Sequence, residues 1–144
     1  MKKQIILFIA AIFTLAVVSS AYAVECPQPR KTKSAPVSTA KMDKTAKANK
    51  AAGKKIYIKT AKPMACKMCH GKKGDGAGKL GKAFKSPLAP RNFTCKETMK
   101  KVSVGQMFWI IKNGSKGSAM VAHKKTLKDK DIWNVIKYIR EDLM

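Results

Sequence analysis

Apolar residues run through this chain in one almost unbroken block and three helical stripes. The block, Ile5 to Val18, follows Lys2 and Lys3 and leads into Ala21-Tyr22-Ala23. A basic start, a hydrocarbon run and an A-x-A site describe a secretory leader over residues 1–23, with cleavage expected after Ala23. The run is short for a spanning helix, which needs roughly 20 residues. An uncleaved leader that tethers the chain to a membrane is the alternative.

The stripes come later. Asp43 can cap a first helix in which Ala46, Gly53, Ile56 and Tyr57 share a face, with Pro63 barring its continuation. Ser103-Val104-Gly105-Gln106 has the S-x-x-Q form of a capping box, and Val104, Met107, Phe108 and Ile111 then recur at i, i+3, i+4 and i+7. Asn113-Gly114 ends that helix with residues tolerant of left-handed backbone. The last helix carries Ile132, Val135, Ile136, Ile139 and Leu143 on one stripe, with Asp129 and Asp131 near its positive end. No segment alternates as a strand would. The expected fold is all-α.

Residues 24–42 interrupt the pattern. They mix Pro, Ser, Thr and Lys without apolar periodicity, which predicts a disordered, solvated tail. The folded domain is therefore expected over residues 43–144. That length allows a core but a thin one, to which a buried cofactor would add much.

The cofactor is indicated by Cys66-Lys67-Met68-Cys69-His70. C-x-x-C-H is the covalent attachment motif of haem c. Two thiols add across the two vinyl groups of one porphyrin, and the adjoining imidazole becomes the proximal iron ligand. A zinc site would want a second pair of ligands, and a thioredoxin-like pair would want a βαβ pattern. Neither is present. Export fits the haem reading, because haem is joined to such motifs outside the cytoplasm, here the periplasm. The loop from Gly71 to Thr94 is rich in Gly, Lys and Pro, and its glycines can let backbone approach a flat cofactor. It lacks a G-K-[ST] and a preceding strand, so it is a poor nucleotide loop.

With these residues in order, the chain resembles a class I c-type cytochrome, closest to the small bacterial mono-haem proteins. Gly53-x-x-Ile56-Tyr57, Cys66-x-x-Cys69-His70-Gly71, Gly74-x-Gly76-x-Gly78, Pro90-Arg91-Asn92-Phe93-Thr94, Asn113-Gly114 leading to Met120, and Ile132-Trp133-x-x-Ile136-x-Tyr138-Ile139-Arg140 carry the likeness over residues 43–144. The resemblance implies a helical fold wrapped around one haem, the first and last helices crossing at Gly53. It implies one-electron transfer, with iron held by His70 and Met120. Three features depart from the family: a longer link, Ile58 to Ala65; Lys79 where a Pro commonly offers its carbonyl to the proximal histidine; and Val121 where Pro often follows the distal Met. His123 is the rival sixth ligand, although a solitary histidine beside Ala122, Lys124 and Lys125 reads as solvated. Cys26 and Cys95 remain. They can pair in an oxidising compartment, Cys26 can link two molecules, or Cys95 can ligate iron as a thiolate.

Charge bears on partners. The whole chain has a formal net charge of +23; Lys2 and Lys3 leave with the leader, so 29 of 31 basic residues then face 8 acidic ones, a formal +21. Lys44, Lys47, Lys50, Lys54 and Lys55 read as a solvated helix face. Lys67, Lys72, Lys73, Lys79, Lys82, Lys85, Lys116, Lys124 and Lys125 flank the segments expected around the haem edge, where they would steer an acidic-faced redox protein such as an oxidase or reductase. Export argues against nucleic acid, and an anionic membrane surface is a second partner. No paired carboxylates and no Ser/His/Asp set support an enzyme, so an electron carrier is expected. The alternatives are a haem subunit of a larger oxidoreductase, or a gas-binding or haem-enzyme module with an open distal position.

Overall fold

The structure, a computed structural model, describes residues 24–29 and 31–144. The expected leader lies outside them. A short helix α1 (Val37–Ala40) and a tight turn at Thr45–Lys47 precede α2 (Lys50–Lys55), which widens into a π-turn over Ile56–Thr60. The haem-motif helix α3 (Lys67–His70) follows, then α4 (Lys96–Met99), α5 (Val104–Asn113) and α6 (Asp129–Tyr138), the last ending in a π-turn over Ile139–Leu143. Among the described residues there is no strand, as the stripes predicted, and no helix is long and apolar enough to cross a membrane.

The first stripe starts later than expected. Asn49, not Asp43, caps α2, its side chain accepting from Ala52 N at 2.9 Å. Asp43 instead accepts from the backbone and hydroxyl of Thr45, at 2.8 and 2.6 Å, and turns the chain before the helix. Those bonds hold its carboxyl below the ordinary range. Asp and Asn compete for both roles, and only the following helix phase decides between them.

The two remaining helices follow their stripes closely. Ile132, Val135, Ile136, Ile139 and Leu143 are all buried, and Tyr57 of the π-turn after α2 packs on Tyr138 of α6 with ring centroids 5.4 Å apart. Phe108 of α5 stacks on Trp133 of α6 at 4.6 Å. α2 crosses α6 at Gly53, as the resemblance implied: a Cβ there would lie 1.9 Å from the carbonyl oxygen of Asn134. Asn134 is buried but satisfied in part by Asn49 N, which donates to its Oδ1 at 2.7 Å.

The described residues of the segment 24–42, although mostly exposed, are tied to the domain. Cys26 and Cys95 form a disulfide, with Cα atoms 5.6 Å apart. Gln106 was expected to close a capping box. Its backbone N–H does donate to Ser103 Oγ at 3.1 Å, but its side chain reaches across the chain instead, accepting from Ala35 N at 2.7 Å and donating to Lys33 O at 2.9 Å. A segment without apolar periodicity is thus anchored by one covalent bond and a series of polar ones. Composition does not register such anchors.

Candidate functional site

α3 has a single turn, so almost all of its carbonyls lack helical partners. The glycine loop supplies them. Gly76 N donates to His70 O at 2.9 Å, Gly78 N to Cys69 O at 3.1 Å and Leu80 N to Met68 O at 2.8 Å. Gly78 is required here by close approach, since a Cβ would fall 2.4 Å from Met68 O. The loop glycines were expected to make room for a cofactor; Gly78 makes room for the backbone of α3. Tyr57, in the π-turn after α2, adds a second fixture, its buried hydroxyl donating to Gly71 O at 2.8 Å.

This frame sets the imidazole of His70. Nδ1 lies 3.0 Å from Arg91 O, and the ring stacks on Phe93 with centroids 4.8 Å apart. The acceptor is therefore Arg91, not Lys79, which is exposed. With Nδ1–H donated outward, the ring's other nitrogen is free of a proton and suited to a metal. Burial lowers the His70 pKa and favours this neutral form, against a smaller upward pull from the Arg91 carbonyl. Cys66 and Cys69 are free thiols, one helical turn apart. Burial pushes the Cys66 thiol up to about 11 and raises Cys69 as well, so neither is an activated thiolate.

Two adjoining clefts open beside this turn. The outer one encloses about 850 Å³ of empty space, counting its mouth, and the inner one about 710 Å³. They meet along Thr32, Cys66, His70, Arg91, Met120 and His123, which line both. Tyr57, Met99, Met107, Val135 and Ile139 close the inner cleft with apolar surface. Met64, Leu88 and Val121 form part of the outer rim and are 41%, 47% and 43% exposed. This slot brings together all four residues singled out as haem-binding: Cys66, Cys69, His70 and Met120. Its donor set fits a haem c: two thiols on one turn, an oriented imidazole, a facing sulfur or nitrogen, and apolar walls for the macrocycle. Among the described residues no group of three or more His, Cys, Asp or Glu converges to hold a bare metal ion.

Met120 reaches the slot because the chain folds back on α5. His123 N and Lys124 N donate to Ile111 O and Lys112 O, at 3.0 and 3.1 Å, satisfying carbonyls at the helix end. Ser115 N donates to Met120 O at 3.0 Å and closes the loop. His123, expected to be solvated, is instead 5% exposed and lines both clefts. Burial lowers its pKa, partly offset by a hydrogen bond to the backbone of Lys62. The Thr126 hydroxyl joins that contact, donating to Lys62 O at 3.0 Å. The extended link, Ile58 to Ala65, is thereby tied to the distal loop. Its length gave the histidine a partner that local sequence around His123 does not reveal.

Two residues missed from sequence are Gln28 and Thr32. Both come from the segment read as a tail, and both line the slot. The disulfide is also now assigned, which removes Cys95 as an iron ligand and Cys26 as an intermolecular link.

Comparison with known proteins agrees with the geometry. The family model for cytochrome c oxidase, cbb3-type, subunit III matches residues 48–139. No curated protein matches the chain. Among solved structures, the reducing HAO-like protein complex Kustc0457/Kustc0458 of Kuenenia stuttgartiensis is similar, with a TM-score of 0.53 and 23% identity. The match covers 84% of this chain and 50% of that one, so the chain spans about half the length of its structural relative. At that identity the likeness speaks for the fold.

Proposed function

Because the chain belongs to the cytochrome c family of cbb3-type oxidase subunit III, and so is a c-type cytochrome with an all-α fold, we propose that it is a periplasmic mono-haem electron carrier. The observation that carries this reading is the slot shared by Cys66, Cys69, His70 and Met120. Haem c, when bound, supplies a one-electron Fe(II)/Fe(III) couple.

The chain's own residues do the rest. Cys66 and Cys69 would hold the macrocycle as thioethers, and His70 would offer its unprotonated nitrogen to the iron while Arg91 O holds the other ring nitrogen. Met120 would supply the second protein ligand to the iron. His123 lines the same slot with one ring nitrogen bonded to the Lys62 backbone, and Met120 is preferred for its place in the family's order after Asn113-Gly114. Apolar walls keep water from the inner face, and the half-exposed rim of Met64, Leu88 and Val121 gives a partner access to the outer edge. Residues 1–23 act as the export leader, and the partner presents an acidic face.

A second reading, a haem subunit within a larger redox assembly, draws on the family's description as an oxidase subunit and on the similar chain being part of a complex. The size of the native protein as isolated from its source separates the two. The haem reading is tested by producing the chain with a working cytochrome c assembly system. Haem should survive denaturing electrophoresis on the wild-type band and be lost from Cys66→Ala/Cys69→Ala; a haem-free wild type would refute it. N-terminal sequencing of the mature protein should begin at Val24.

A further inference from the structure

We propose that Gln28 is a positioning residue for His70, acting through the peptide that joins Arg91 to Asn92. This rests on the haem reading above. The carbonyl of that peptide accepts from His70 Nδ1 at 3.0 Å. Its other end, Asn92 N–H, donates to Gln28 Oε1 at 2.8 Å. The two groups belong to one rigid plane, so gripping the N–H fixes the direction in which the C=O points. It also polarises the carbonyl, because hydrogen bonds in a chain strengthen one another.

The rest of the Gln28 amide tightens the same grip. Nε2 donates to Pro90 O at 2.9 Å, and Oε1 accepts a second bond from Arg91 Nη1 at 3.2 Å. One side chain therefore holds three consecutive residues around the acceptor. Gln28 is itself placed by the Cys26–Cys95 disulfide two residues upstream and by its own N–H, which donates to Thr98 Oγ1 at 3.2 Å. The chemistry is that of a metal site's outer partners: a firmer acceptor makes the imidazole a more basic ligand and favours the ferric ion.

The sign of the effect separates this role from simple covering of the cleft. Loosening the Arg91 carbonyl weakens the His70 bond and raises the reduction potential. Opening the cleft admits water, which favours the more charged ferric state and lowers it. The experiment is an equilibrium redox titration of the full, haem-loaded chain carrying Gln28→Leu, which keeps the side chain's bulk. Exchange of the His70 Nδ1 proton is followed by NMR in the ferrous protein. The potential should rise by the equivalent of a several-fold change in the redox equilibrium, tenfold being about 59 mV for one electron, and exchange should accelerate. Gln28→Glu keeps an oxygen acceptor for Asn92 N–H and should retain slow exchange. An unchanged or lowered potential in Gln28→Leu overturns the proposal, whatever the exchange rate. Should that variant fail to accumulate, Cys26→Ser/Cys95→Ser frees the anchor, and unchanged exchange there overturns it equally. A wild type without haem would refute the haem assignment; a loaded wild type beside an unshifted Gln28→Leu refutes this inference alone.

Discussion

Gly53 of α2 rests directly on the backbone of Asn134 in α6, at a distance that leaves no space for a methyl group. Asn134 meanwhile holds Asn49, the residue that caps α2. Crossing point and cap are therefore one joint, and the slot's inner wall hangs on it through Tyr57, Val135 and Ile139. Gly53→Ala should destabilise the protein by at least ~2 kcal/mol, because both clashing partners are backbone and cannot step aside. Thermal melting of the haem-loaded form should show a Tm lower by on the order of 10 °C. Asn134→Ala should also destabilise, by about 1 kcal/mol, since it removes the acceptor of Asn49 N–H in a partly buried contact at the α2 cap.

The distal ligand is decided by spectroscopy. Ferric wild type should show the weak near-infrared absorption of a sulfur-to-iron bond, and Met120→Ala should abolish it and lower the reduction potential, since Met/His ligation raises it. His123→Ala should leave the absorption in place. If instead His123→Ala perturbs the ligand field and Met120→Ala does not, the two residues exchange roles.

How far these points were legible from the sequence varies with the kind of interaction. Stripes such as Ile132-Val135-Ile136-Ile139 report burial directly, so α5 and α6 were readable from spacing. C-x-x-C-H fixed one side of the site because the chemistry demands contiguous residues. The other side depends on long-range hydrogen bonds. That Arg91 rather than Lys79 faces His70 follows from how the glycine loop caps α3, and no local pattern encodes it. That His123 is buried follows from its contact with Lys62, far away in sequence. The segment 24–42 was misread because a disulfide and the amides of Gln28 and Gln106 replace apolar contacts there.

His123 should also leave a mark on pH dependence. Its unfolded pKa is near 6.5, and burial lowers it in the folded protein. The unfolded chain then binds the proton more readily. The folded state is fully favoured above pH 6.5 and loses stability as pH falls from there toward the lowered folded value. Melting of the haem-loaded protein should show a Tm that declines over this window. His123→Gln should flatten that decline; an equally steep decline in the variant would assign it to other groups.

The final prediction concerns the proposed partner. Lys72, Lys73, Lys79, Lys82, Lys85, Lys116, Lys124 and Lys125 are all exposed and lie close in sequence to residues that form the slot and its rim. Attraction to an acidic face predicts a bimolecular electron-transfer rate that falls steeply with salt, as the Debye length shrinks from about 10 Å at 0.1 M to about 3 Å at 1 M. Docking should be brief and small, below about 1,200 Å² in total, as redox encounters are. Charge reversal separates a docking face from an overall field. Lys72, Lys73 and Lys79 changed together to Glu should slow the reaction far more than a matched triple from the segment leading into and through α2. Lys44, Lys47 and Lys54 form that control. Lys50 is unsuitable, because it already pairs with Asp142 at 2.9 Å and Glu141 at 3.5 Å, and its reversal would disturb α2 itself. Equal slowing by both triples would mean that only net charge acts. A rate that neither triple changes, flat with salt, would leave an anionic envelope surface as the purpose of the lysines, and vesicles of anionic lipid would then be the probe.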